Sequence, residues 1–249
     1  MPSGKSASGR QRDPRQPFRE FPEQGIMNLM DLAHIQGLIF DLDGTLIDSE
    51  RDLIDSTNAT LRHLGRPELP AAAISGYIGH GAANLVASAL GPGVNPQLQA
   101  DALQYFLGYY NNHKLIYTRV YPGVPGALQT LAQMPMAVLT NKPQHISRLI
   151  LEALDLARYF RVIYGGDSLP AKKPDPFGVN KILAQFAIPG ENALFIGDSE
   201  VDVQTARNAG TTSAIVNYGF GTHDRAAFPA DLYLDRLADL VPMLHVPPL

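Results

Sequence analysis

Between residues 37 and 216 the chain repeats one pattern. A short aliphatic run meets a polar or glycine break, and a longer stretch with apolar residues at helical spacing follows. The runs are Leu38-Ile39-Phe40, Met136-Ala137-Val138-Leu139, Phe160-Arg161-Val162-Ile163-Tyr164, Ala193-Leu194-Phe195-Ile196 and Thr212 to Val216. Short continuous apolar runs of this kind mark strands buried on both faces. Between them, the spacing predicts helices over 124–133 and 144–156, one ending near Phe186, and one over 200–208 closed by Gly210. Strands alternating with helices of this length predict an α/β fold built on a doubly wound, mostly parallel, Rossmann-like sheet.

Residues 49–120 break the alternation. Ser49 and Asp52 read as a capping pair for a helix carrying Ile54, Leu61 and Leu64, which stops near Gly65 before Pro67 and Pro70. Helical spacing returns over 82–90 and again over 96–114, and no strand is expected between Asp48 and Tyr121. The chain therefore divides into an α/β core domain (31–48 and 121–249) and an inserted all-helical cap domain (49–120). Residues 1–30 are rich in Pro, Gly, Ser, Gln and Arg as far as Gln24 and predict a disordered tail. A translation start at Met27 or Met30 is a second reading of that segment.

Composition narrows the function classes. The 249 residues are 45% hydrophobic, enough for a core with an insert, and the formal net charge is −4 with no long basic stripe, which argues against nucleic acid as a partner. No apolar run approaches the ~20 residues that span a bilayer, so a membrane is not expected either. The chain has no cysteine, which removes disulfides, thiolate zinc sites and a cysteine nucleophile and suits a cytoplasmic location.

The candidate chemistry sits where the predicted strands end. Asp41 and Asp43 follow the first run, and alternation along a strand would point both to one side. Two carboxylates so close require a cation or a shared proton, and hard oxygen ligands suit Mg²⁺. Thr140 and Asn141 follow the second run, Gly197-Asp198-Ser199 follows the fourth, and Lys173 lies in a loop between the third and fourth. In an open α/β sheet these loops can gather at one carboxyl edge.

The string Asp41-Leu42-Asp43-Gly44-Thr45, with Thr140, Lys173 and Gly197-Asp198 in that order, resembles the four signatures of the haloacid dehalogenase-like hydrolases over residues 37–220. The resemblance implies a phosphate monoester hydrolase. Asp41 would attack phosphorus and become an aspartyl-phosphate, and Asp43 would protonate the leaving group and then deprotonate water. Mg²⁺ would be held by the Asp41 and Asp198 carboxylates and the Asp43 backbone carbonyl. Thr140, Asn141 and Lys173 would meet the phosphoryl group, Lys173 being the lysine directly before Pro174, while Lys172 is its solvated neighbour. Asp202 would sit behind the metal or Lys173, or would serve simply as negative charge at a helix N-terminus. The acid at position 43 favours phosphatase or phosphomutase over the superfamily's dehalogenases and ion pumps.

Within the superfamily the chain resembles bacterial phosphoglycolate phosphatases. The matching stretches are Ile78-Gly79-His80-Gly81-Ala82, Thr140-Asn141-Lys142-Pro143, Leu151-Glu152-Ala153-Leu154, Gly165-Gly166-Asp167 and Gly197-Asp198-Ser199. His80 departs from the asparagine expected there. Gly79 and His80 would bring N–H groups and an imidazole to the distal carboxylate of a small phosphorylated metabolite, or would form a plain turn with His80 exposed. Arg51 and Arg119, near the ends of the cap, are other candidate carboxylate partners. A sugar phosphomutase of the β-phosphoglucomutase type, a phosphatase of sugar phosphates, pyrophosphate or nucleotides, and a non-catalytic phosphate-binding module are the alternatives.

Overall fold

The computed structural model describes residues 32–221 and 223–244. The predicted tail over residues 1–30 and the two candidate start methionines lie outside the described residues. The chain opens with β1 (Gly37–Phe40) and β2 (Ile47–Asp48), and four helices follow: α1 (Glu50–His63), α2 (Ala71–Ser75), α3 (Ala82–Leu90) and α4 (Pro96–His113). It returns through β3 (Arg119–Val120) to α5 (Val124–Thr130), β4 (Met136–Leu139), α6 (Gln144–Ala153), β5 (Val162–Tyr164) and α7 (Phe177–Phe186). β6 (Ala193–Gly197), α8 (Glu200–Ala209), β7 (Thr212–Val216) and β8 (Leu232–Leu234) complete it.

Six strands form one parallel sheet in the order β5-β4-β1-β6-β7-β8. The chain builds outward from β1 through β4 to β5, then crosses back to β6 and builds outward on the other side. That reversal of winding falls beside β1, where open α/β sheets form a ligand crevice. The apolar runs behave as their lack of alternation predicts. Leu38 and Phe40 enter one hydrophobic cluster with Leu128 and Ile150, while Ile39 enters a second with Val179, Ile182 and Phe195. Both faces of β1 are thus covered, as a central parallel strand requires.

The structure departs from the sequence reading at several points. β1 ends at Phe40, so strand alternation does not govern Asp41 and Asp43. The Asp41 N–H still bonds Ile196 O at 2.8 Å, but the N–H groups of Leu46 and Ile47 then converge on Leu42 O in a tight turn. A strand does occur between Asp48 and Tyr121. β3 pairs antiparallel with β2, Ile47 opposite Val120 and Asp48 opposite Arg119, and this two-residue ribbon carries the chain into and out of the helices. Two residues are too few to leave a period in sequence. β8 and the five-residue α2 were unforeseen for the same reason. β5 begins only at Val162, because Phe160 closes a preceding 3₁₀ turn.

The predicted Ser49–Asp52 capping pair does not form. The Ser49 hydroxyl donates instead to Asp43, and Ser49 makes no side-chain bond to the α1 N–H groups. Asp52 is buried and accepts from the Tyr117 N–H at 3.0 and 3.1 Å, the Thr118 N–H at 2.9 Å and the Thr118 hydroxyl at 2.7 Å. One carboxylate thereby ties the start of the helical block to its end. Asp52→Ala leaves these buried donors unpaired and is expected to destabilise the fold by about 3 kcal/mol, since each bond to a charged group contributes roughly 1.5–3 kcal/mol. Urea unfolding measures this, and an unchanged midpoint and slope would show that the tie is dispensable.

Candidate active site

The carboxyl ends of β1, β4 and β6 meet at the reversal beside β1. There Asp41, Asp43, Thr140, Asn141, Lys142 and Asp198 line one cavity of about 50 Å³. The helical block closes its far wall with mostly apolar side chains, among them Leu53, Ile78, Leu85 and Phe106.

Lys173, in the loop after β5, is buried behind the cavity wall, against Asp41. Its Nζ lies 2.7 Å from Asp41 Oδ1 and 2.7 Å from Asp202 Oδ1. Burial opposes its charge, but Asp202 and Asp41 prevail and hold it above the ordinary lysine range. Asp202 has a second task through its other oxygen, which accepts from the N–H groups of Asp198 and Ser199 and from the Ser199 hydroxyl. Asp202 therefore both caps the start of α8 and faces Lys173.

The carboxylates of Asp41, Asp198 and Asp202 offer oxygens within 4.8 Å of one another, all buried. Three formal negative charges meet one ammonium. Burial pushes Asp41 from 3.8 up to about 6; Lys173 opposes the shift, while Asp202 and Asp43 add to it. Burial, Asp202 and Asp41 raise Asp198 well above the usual carboxylate range, against the Gly221 N–H, which donates to Asp198 Oδ2 at 2.7 Å. Clustered hard oxygen donors with excess negative charge are the environment of a divalent cation. Close backbone approach makes this packing possible. A Cβ on Gly44, whose φ is +82°, would lie 1.8 Å from Asp198 Oδ2, and one on Gly219 would lie 2.4 Å from Asp198 Cβ.

Asp43 takes a separate partner. Its Oδ1 and Oδ2 lie 2.8 and 3.1 Å from Lys142 Nζ, and the Ser49 hydroxyl also donates to it. Lys142 is the residue that sequence reasoning missed. Its motif was visible, but its burial and its partner, 99 positions away, were not. Burial disfavours the Lys142 charge, yet Asp43 and Tyr110 hold its affinity for the proton above the ordinary lysine range. The loop 218–221 was also unforeseen. The Tyr218 hydroxyl donates to Thr45 O at 2.8 Å, Phe220 reaches the cavity and Gly221 bonds Asp198, and only its two glycines hint at such close packing.

Of the remaining predicted residues, Thr140 is buried and its hydroxyl oxygen accepts from the Lys142 N–H at 3.2 Å. Asn141 Nδ2 donates to Gly79 O at 3.0 Å and Lys173 O at 3.1 Å, joining the helical block to the lysine loop. Gly79 and Gly81 line the cavity. His80 between them does not; it is exposed and borders a separate open groove with Lys172 and Lys173. Lys172 is exposed, with Nζ 3.3 Å from His80 O. Arg51 and Arg119 are exposed and absent from the cavity wall, Arg51 lying over the Tyr117 ring at 3.6 Å.

With this geometry established, comparison with known proteins gives a consistent result. The family model of the haloacid dehalogenase-like hydrolases matches residues 38–216. Phosphoglycolate phosphatase 1 of Pseudomonas aeruginosa is 40% identical over 215 residues, covering 82% of this chain and 78% of that protein. The phosphoglycolate phosphatase of Chromobacterium violaceum is 35% identical over 225 residues, covering 86% and 99%. The crystal structure of a predicted phosphoglycolate phosphatase from Haemophilus somnus superposes with a TM-score of 0.80 at 30% identity, covering 84% of this chain and 98% of that one. The protein belongs to the haloacid dehalogenase-like hydrolases.

Proposed function

We propose that the protein is a Mg²⁺-dependent phosphate monoester hydrolase that works through an aspartyl-phosphate on Asp41 and acts on 2-phosphoglycolate. The observation that carries the reading is the buried cluster of Asp41, Asp198, Asp202 and Lys173, two of whose carboxylates, Asp41 and Asp198, line the cavity beside the separately held acid Asp43. The relatives' names supply the substrate. We place the enzyme in the cytoplasm, whose reducing conditions suit a chain without cysteine. No helix among the described residues is long and apolar enough to cross a membrane.

The residues divide the work. An Asp41 oxygen attacks phosphorus, the bond from phosphorus to the ester oxygen breaks, and that oxygen takes its proton from Asp43. In the second half a water attacks phosphorus, Asp43 takes the water's proton, and the bond to Asp41 breaks to release inorganic phosphate. Lys173 orients Asp41 and faces the charge of the phosphoryl oxygens, with the Thr140 hydroxyl and neighbouring N–H groups as further donors. Asp202 holds Lys173, and Lys142 with Ser49 holds Asp43. Asp41, Asp198 and the Asp43 carbonyl would hold Mg²⁺, which when bound offsets charge between an anionic nucleophile and an anionic ester. The helical block over 49–120 acts as a cap that opens to admit substrate and closes to exclude water.

Asp41→Asn is expected to lower turnover of 2-phosphoglycolate by about 1000-fold or more while leaving the circular dichroism spectrum unchanged. Phosphate release near the wild-type rate from that variant would remove Asp41 as nucleophile. EDTA should abolish release and excess Mg²⁺ restore it, and metal-independent release would overturn the cofactor assignment.

The raised Asp41 carboxyl adds a pH dependence. Without metal, the folded protein holds this proton more tightly than the unfolded chain, since the value rises from 3.8 to about 6. The group therefore costs stability above pH 6, and that cost disappears as pH falls towards 4. Mg²⁺ competes with the proton, so the rise in Tm on adding Mg²⁺ should be largest at pH 7–8 and shrink through pH 6. A rise that does not depend on pH would contradict the assigned ligands.

A further inference from the structure

The cavity contains a recognition element that neither the motifs nor the catalytic scheme uses. Among the residues that the helical block contributes to the wall, Tyr110 of α4 alone has a polar side-chain atom. Tyr110 is about 1% exposed, and the group that acts on its buried hydroxyl is the Lys142 ammonium, which can only donate; among the described residues no acceptor takes the phenol proton. Buried hydroxyls are nearly always satisfied, so this proton is left for an acceptor on a ligand. The Lys142 ammonium lies 4.6 Å from the centre of the Tyr110 ring. Burial pushes the Tyr110 phenol up to about 12, which keeps it a proton donor at any working pH. Gly81 and Ala82, at the start of the nine-residue α3, line the same cavity. The first-turn N–H groups of a helix have no intrahelical acceptors, and Gly81 supplies no side-chain cap.

We propose that Tyr110 is a specificity-determining residue whose hydroxyl, beside the Lys142 ammonium, donates to the carboxylate of a phosphorylated hydroxy acid. The proposal rests on the phosphatase reading above and deepens it by naming what recognises the acid end of the substrate. The donors that meet there are the Tyr110 phenol, the Lys142 ammonium from the loop after β4 and the N–H groups opening α3, a set that suits a carboxylate better than a hydroxyl or an apolar tail. His80 and the two arginines near the ends of the helical block lie outside the cavity, so none of them performs this task. The catalytic end holds Asp41 and Asp43, and Lys142 touches both functions, holding Asp43 on one side and facing Tyr110 on the other.

The test compares 2-phosphoglycolate with ethyl phosphate, which replaces the carboxylate by a methyl group. The readout is the ratio of kcat/KM for the two esters, in wild type and in Tyr110→Phe. The wild type is expected to prefer the acid, and the variant to lose about tenfold or more of that ratio, mainly through KM for 2-phosphoglycolate. A purely structural role would lower both esters together and keep the ratio, which would overturn the proposal. If Tyr110→Phe does not fold, Tyr110→Met removes the hydroxyl with a smaller, flexible side chain that adapts to the site, and is read by the same ratio. Failure of the underlying reading looks different: wild type would then hydrolyse neither ester, or would show no preference for the acid. A wild-type preference that survives loss of the hydroxyl refutes the role of Tyr110 alone.

Discussion

A single ammonium set among three buried carboxylates is the constraint on which the rest depends. Lys173 reaches Asp41 and Asp202 at 2.7 Å each, and Asp198 completes the cluster with no ion pair of its own among the described residues. Three buried charges against one leave an imbalance that a protein interior does not tolerate alone. That imbalance and the burial raise the Asp41 and Asp198 carboxyls above the ordinary carboxylate range. In the proposed reading, the same imbalance would make the site a receptor for a divalent cation and, through it, for an anionic ester. The fold around the cluster serves this arrangement. The reversal of winding beside β1 brings three strand ends together, and Gly44 and Gly219 let backbone approach Asp198 where any side chain would collide.

Much of this was legible in the sequence, for identifiable reasons. Continuous apolar runs located β1, β4 and β6, because a strand buried on both faces leaves no polar positions to blur it. Asp41, Asp43, Thr140, Lys173 and Asp198 stood out because each lies just beyond such a run or in the loop between two. What was not legible depends on partners distant in sequence. The Lys142–Asp43 pair spans 99 positions and Asp52 reaches 65 and 66 positions to Tyr117 and Thr118, so no local pattern announces either. The Ser49–Asp52 capping pair failed for the converse reason. Its local pattern was sound, but stronger tertiary partners claimed both side chains.

The helical block and the sheet edge are joined by polar contacts rather than by apolar packing alone. Asn141 bonds both Gly79 of the block and the backbone of Lys173, and Lys142 faces Tyr110 while it grips Asp43. The segment Thr140-Asn141-Lys142 thus touches what the proposed function makes the phosphoryl site, the acid and the wall that meets the rest of the substrate. In this account, recognition of the leaving group and placement of the acid that protonates it pass through adjacent side chains of one loop. Preorganisation of this kind is where enzymes gain most of their rate, since donors already in place need no reorganisation as charge moves.

The central claim is that Asp41 carries the phosphoryl group between the two half-reactions. Its most direct test is to acid-quench the enzyme during turnover of ³²P-labelled 2-phosphoglycolate and map the labelled peptide. The account predicts label on the peptide containing Asp41, dischargeable by hydroxylamine as an acyl phosphate is. Sustained turnover with no labelled protein, or with label on a different residue, would contradict it.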